Sequence, residues 1–173
     1  MLYQLNTRTF SRVGLWLLAG AAFVLSLGAA SAQSGDPIKI GYGISQTGGL
    51  APNGKSALLA QQIWEEDINA KGGLLGRPVK LVYYDDQTNP ATVPALYQKL
   101  LDVDKVDIVI GGYGTNLLAP AMPVVIQKKK MLIGLFGMAV NTEFNYPKYF
   151  SMIPLGPTPK AAMSKGFFEA AIA

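Results

Sequence analysis

The sequence predicts a doubly wound α/β fold, a parallel sheet with helices on both faces. Three observations predict it. From Pro37 onward, apolar runs of strand length alternate with segments of helical periodicity, and such alternation builds βαβ crossovers. Val106 to Ile110 is nearly continuous in apolar residues, as a strand buried on both faces must be. Glycine-rich stretches follow the first, third and fourth strand segments, where open parallel sheets carry their functional loops.

Each element has its own local reason. Pro37 to Ile44 alternates Ile38, Ile40, Tyr42 and Ile44 and reads as the first strand. Gly54 to Ala70 reads as a helix, with Ala57, Ala60, Trp64 and Ile68 on one face and Trp64 turned to the core. Lys71-Gly72-Gly73 ends it with a cation and residues able to take positive φ. Pro78 to Tyr84 is a second strand, with Tyr83 and Tyr84 as strand packing. Asn89-Pro90 signals the next helix start; Pro94 conflicts with it and offers Thr92 as the alternative. Val93, Leu96 and Leu100 carry that helix.

Leu117 to Lys130 is a third helix, with Pro120 in its first turn and Pro123 as a kink or a delayed start. Its closing run Lys128-Lys129-Lys130 complements the helix dipole. Met131 to Phe136 and Tyr149 to Ile153 are the fourth and fifth strands. A Pro/Gly-rich link, Pro154 to Pro159, leads into a last helix from Lys160, with Thr158 as N-cap.

The first 32 residues have the anatomy of a cleavable secretory signal. Arg8 and Arg12 form a positive n-region, Val13 to Leu27 an apolar core, and Ala30-Ser31-Ala32 a cleavage site, giving a mature start at Gln33. Its removal leaves 13 basic against 11 acidic residues, a net charge of +2, too weak for a nucleic-acid surface. The chain contains no histidine and no cysteine. Ser-His-Asp and Cys-His catalysis are thereby excluded. A zinc or copper centre is not expected, and nothing in the sequence calls for a cofactor.

Gly49 to Ser56 matches the phosphate-binding pattern G-x-x-x-x-G-K-[ST] letter for letter. Read as a P-loop, it makes the chain a nucleotide hydrolase, with Asp85 and Asp86 as metal-binding acids. Against this, Ser45 to Gly48 separate the strand from the first glycine, and an exported protein meets little ATP. In the competing reading, Ser45 to Asn53 is one wall of a solute cleft. Gly111 to Asn116 and Phe136 to Asn141 are its other loops.

The long block Glu65 to Asp86, EEDINAKGGLLGRPVKLVYYDD, resembles the branched-chain amino-acid (leucine/isoleucine/valine) binding-protein family. Gly43 to Gly54, Val106 to Gly114, Met131 to Ala139 and Tyr149 to Pro154 fall in matching places. The resemblance covers Pro37 to Ala173. It implies the type I periplasmic binding fold and a non-enzymatic, periplasmic receptor that delivers a small solute to an ABC permease in the membrane. The solute classes implied are amino acids and aromatic, carboxylate or amide compounds. A ligand-sensing receptor module is the alternative on the same architecture.

The resemblance also implies site residues. Thr115 holds a ligand carboxylate through its hydroxyl and N–H. Gly137 and Ala139 offer backbone groups, Ala139 standing where a hydroxyl residue is common. Asn53 sits near a position of side-chain contact. Tyr113, Phe136 and Met138 make the edge aromatic and apolar, and Gly114 belongs to the same turn. Each has a plainer reading: Gly111, Gly112 and Gly114 as chain turns, Thr115 as a helix cap, Tyr113 and Phe136 as core or rim. By this resemblance residues 33–153 are a first lobe, 154–159 a hinge crossing and 160–173 the first helix of a second lobe, at which the sequence stops. Solute binding is then expected to be weak, and Phe167, Phe168 and Ile172 are expected to dock elsewhere, promote association or leave their helix disordered.

Overall fold

A computed structural model describes residues 35–153 and 159–172. Five parallel strands form one sheet in the order β2-β1-β3-β4-β5. They are β1 (Ile38–Ile44), β2 (Val79–Asp85), β3 (Ile108–Ile110), β4 (Leu132–Gly134) and β5 (Tyr149–Ser151). Between them run α1 (Ala51–Ala70), α2 (Val93–Asp102), α3 (Thr115–Leu118), a 3₁₀ turn (Ala119–Ala121), α4 (Met122–Gln127) and α5 (Asn141–Phe144), and α6 (Pro159–Ile172) follows β5. The expected doubly wound α/β class is the observed one. Because all five strands are parallel, their carboxyl ends face one edge, and the chain order reverses between β1 and β3, which sets the switch point there.

The pleat sorts the core into two layers. On one face, Val109 and Leu132 pack with Tyr97 and Leu100 of α2, Leu117 and Leu118 of α3, and Met122 and Val125 of α4. On the other, Ile40, Tyr42 and Ile44 of β1 and Val79 and Leu81 of β2 pack with Leu58 of α1. Full burial of such side chains is worth about 1.5–3 kcal/mol each. The tyrosines Tyr42 and Tyr83, neighbours in the β1–β2 register, stack with ring centroids 5.7 Å apart.

Several boundaries differ from expectation, each for a local reason. Helix α1 begins at Ala51, three residues early, because Pro52 fits its first turn. Helix α2 starts at Val93 with Thr92 before it and Pro94 inside the first turn. Asn89 instead closes a turn, its Oδ1 accepting the Ala91 N–H. Pro120 and Pro123 break the third helix into α3, the 3₁₀ turn and α4. The lysine run lies just past α4, where Lys128 pairs with Asp102 and Lys130 donates to the Val106 carbonyl.

Trp64 corrects the expected α1 face: it is 41% exposed. The inward face of α1 is polar where it meets the edge of the sheet. Asn69 clamps Val79 by donating to its carbonyl and accepting its N–H, and Glu65 Oε1 accepts the Leu81 N–H at 2.8 Å. Gln62 donates to the Tyr83 hydroxyl. These contacts use groups that an edge strand otherwise leaves open, and they rotate Trp64 outward.

Candidate functional site

At the switch point β1 continues beyond the last β3 pair. The buried Tyr97 of α2 spans the gap: its hydroxyl donates to the Ile110 carbonyl at 2.7 Å and accepts the Gly43 N–H at 3.4 Å. Burial pushes this phenol well above its usual pKa, so it stays a neutral donor. A buried carboxylate braces the loop beside it. Asp86 Oδ1 accepts the Ser45 hydroxyl at 2.7 Å and the Thr88 N–H at 2.8 Å.

Asp85 gathers the rest of the first loop. It accepts the N–H groups of Gln46, Thr47 and Gln87 and the Thr47 hydroxyl. Burial alone would raise its pKa; the Thr47 hydroxyl and the three N–H groups outweigh it and hold the pKa below the usual carboxylate value. Sequence reasoning offered these two acids only as a strand end or metal ligands. Their scaffolding role was missed because it depends on Ser45 and Thr47, about 40 residues away along a chain that only the fold brings back.

On this base the predicted site residues meet. Asn53, in the first turn of α1, donates from Nδ2 to the Tyr113 hydroxyl at 3.1 Å. The Tyr113 ring lies 4.7 Å from that of Phe136, tilted by 42°. Pro52, Asn53, Ser56, Ala57, Tyr113 and Phe136 line an open concavity of about 460 Å³. One step further along both loops, the Met138 N–H donates to Thr115 Oγ1 at 3.0 Å. Gly114 caps α3 with φ 95°, a left-handed value that suits glycine.

Thr115 therefore does not cap α3: it is the first helical residue, and its hydroxyl oxygen bridges to the β4 loop. Gly137 packs on Leu118 so closely that a Cβ would overlap that side chain. Ala139 sits at φ 56°, its carbonyl already taken by the N–H and hydroxyl of Thr142. Only the rest of its backbone remains for a ligand. Phe136, in the lining of the concavity, is 42% exposed, and Met138, two residues further on, is 47% exposed.

The phosphate-loop pattern does not fold as one. Residues 51–56 are already helical, so their N–H groups do not form a cradle. Lys55 is exposed, and the Ser56 hydroxyl donates back to the Pro52 carbonyl. Gly54 has a packing reason instead: a Cβ there would overlap the Ser45 carbonyl, so glycine lets α1 close on β1. Among the described residues, no three potential metal ligands converge.

The sequence and the fold match known proteins. Residues 37–170 match the periplasmic binding protein family, and the chain belongs to it. An amino acid binding protein from Pseudomonas aeruginosa is 36% identical over 77 residues, 41% of this chain and 21% of that protein. The Leu/Ile/Val-binding protein of Escherichia coli K12 is 29% identical over 111 residues, 64% of this chain and 29% of that protein. Among solved structures, a solute binding protein of an ABC transporter from Rhodopseudomonas palustris, in complex with 3,4-dihydroxybenzoic acid, superposes with TM-score 0.59. It is 25% identical over 67% of this chain and 31% of its own. The chain thus spans less than a third of the length of these relatives.

Proposed function

We propose that this chain is the first lobe of an exported solute-binding component of an ABC importer, taking amino acids or similar small carboxylate or amide solutes. One observation carries the reading. The start of α1 and the loops after β3 and β4 meet at the switch point of a parallel sheet through Asn53, Tyr113 and Phe136, beside a Thr115 hydroxyl. Because Thr115 Oγ1 accepts from Met138 and donates to no described residue, its proton is left for an anionic solute. The relatives bind small carboxylates by name: an amino acid in Pseudomonas aeruginosa, leucine, isoleucine and valine in Escherichia coli, a dihydroxybenzoic acid in Rhodopseudomonas palustris.

In this reading Asn53, Tyr113, Gly114, Thr115, Phe136, Gly137, Met138 and Ala139 form the solute wall, and the chemistry is binding without turnover. Residues 1–32 are a signal removed on export to the periplasm, 33–153 the lobe, 154–159 the hinge crossing and 160–173 the first helix of the second lobe. Residues 1–34, 154–158 and 173 lie outside the described part. A membrane permease is the partner that receives the solute. Thermal-shift screening with amino acids and small carboxylic acids tests the assignment. A stabilising solute should emerge, Thr115→Val should remove its effect, and Lys55→Ala should not. A solute response indifferent to Thr115→Val, or lost with Lys55→Ala, would contradict it.

A further inference from the structure

We infer that the chain associates as a twofold dimer, helix α6 of each copy lying on the sheet face over β3, β4 and β5 of the other. This goes beyond solute binding and rests on two apolar surfaces that the structure leaves open. The first is the end of one row of side chains. Tyr42, Ile110, Ile133 and Phe150 are register partners across β1, β3, β4 and β5. They therefore share one face of the sheet, the face that carries α1. Helix α1 packs on β1 and β2. The row is accordingly buried at Tyr42, half-buried at Ile110 and Ile133, and 55% exposed at Phe150. Met152, which extends the ladder by donating its N–H to the Gly134 carbonyl, is 58% exposed. Trp64 forms the opposite wall. It shares a helical stripe with Asn53, three turns earlier, which reaches the loop after β3. From β3 to β5 this trough is about 10 Å wide, two strand spacings.

The second surface is one face of α6. Phe168 and Ile172 are one turn apart, Ala161 stands two turns before Phe168, and Phe167 and Ala171 form the adjoining stripe. Lys165 and Glu169 pair at 3.6 Å along the flank. The apolar side chains of this face are exposed, so α6 does not cover its own sheet. A helix with its side chains is about 10–12 Å across and fills the trough. Phe167, Phe168 and Ile172 seated against Trp64, Phe150 and Met152 would take roughly 600–700 Å² out of water. A reciprocal exchange doubles this to about 1,200–1,400 Å², enough for a stable specific interface. Each copy offers both surfaces, so the exchange closes about a twofold axis and stops at two.

Sedimentation velocity on the chain from Gln33 onward, the expected mature form, tests this together with an intermolecular label. Dimer should accumulate with concentration. Phe168→Glu and Phe150→Lys should each weaken it about tenfold or more, while Leu59→Lys, at an exposed position on the far side of α1, should not. The chain has no cysteine, so a spin label on Glu169→Cys sits at one place. Mixed with isotopically labelled chain that carries no spin label, it should broaden the amide resonances of Ile133, Phe150 and Met152 in the partner copy. A monomer at every concentration, or a dimer in which those resonances stay sharp, overturns the inference. If broadening appears only when spin label and isotope share one chain, α6 folds onto its own sheet and the inference fails.

Discussion

Individual residues build the base of the site by filling hydrogen-bond needs that the sheet leaves open. Where β1 and β3 part, the Gly43 N–H and the Ile110 carbonyl turn to the Tyr97 hydroxyl. Tyr97→Phe keeps the ring and strands both groups, so a loss of about 1–3 kcal/mol is expected in urea unfolding. Asp85 gives a pH dependence. Its folded pKa lies below the usual value, so its stabilisation is present above the unfolded pKa and is lost as pH falls through the folded one. The amide resonances of Gln46 and Thr47 should hold steady at neutral pH and move only in acid below about 3.8, the ordinary value. Asp85→Asn should flatten that transition. Neither acid announced this role in the sequence, because a carboxylate after a strand has the same letters whether it is solvated or bonded.

At the scale of elements, α1 and β2 form a unit held by side chain to backbone bonds. Glu65 and Asn69, one helical turn apart, meet Leu81 and Val79, two strand positions apart. The helix period and the strand period are matched through the tight loop between them. Glu65→Ala should speed amide exchange at Leu81 selectively and cost about 1 kcal/mol, read by exchange-detected NMR. The strands were legible because parallel-sheet strands are apolar almost throughout, and Val109 and Leu132 are indeed fully buried. The face of α1 was legible in part: Ala57 and Ile68 pack on the core as the apolar periodicity implied, whereas Trp64 turns outward and polar residues bond the β2 backbone. Element ends also escaped, since prolines at 52, 94, 120 and 123 are acceptable in a first turn and disruptive one turn later.

Across the whole molecule, helix α1 covers β1 and β2. Ile133 and Phe150, paired in register across β4 and β5, lie on the same face of the sheet, half-buried and exposed. Every side chain described in α6 is exposed, including Phe167, Phe168 and Ile172. The concavity is open to solvent and buries one side of a small solute, where tight sites enclose most of it. Calorimetry on the chain as it stands should therefore give a constant weaker than micromolar; a tighter one would show that these loops alone suffice.

The sequence by itself determined the class of fold and pointed to the sheet edge on which the candidate site is proposed. Both follow from local periodicity and from glycines after strands, which act over a few residues. It also placed Asn53, Tyr113, Thr115 and Phe136 among the site candidates. Only the tertiary structure decided what those residues do to one another. The Asn53–Tyr113 bond, the Tyr113–Phe136 contact and the bond from Met138 to Thr115 join positions separated by 60, 23 and 23 residues. The same distinction settled the Gly49–Ser56 pattern. Its letters fit a phosphate cradle, but an early helix start and the approach of Gly54 to Ser45 consume the backbone that a cradle would need.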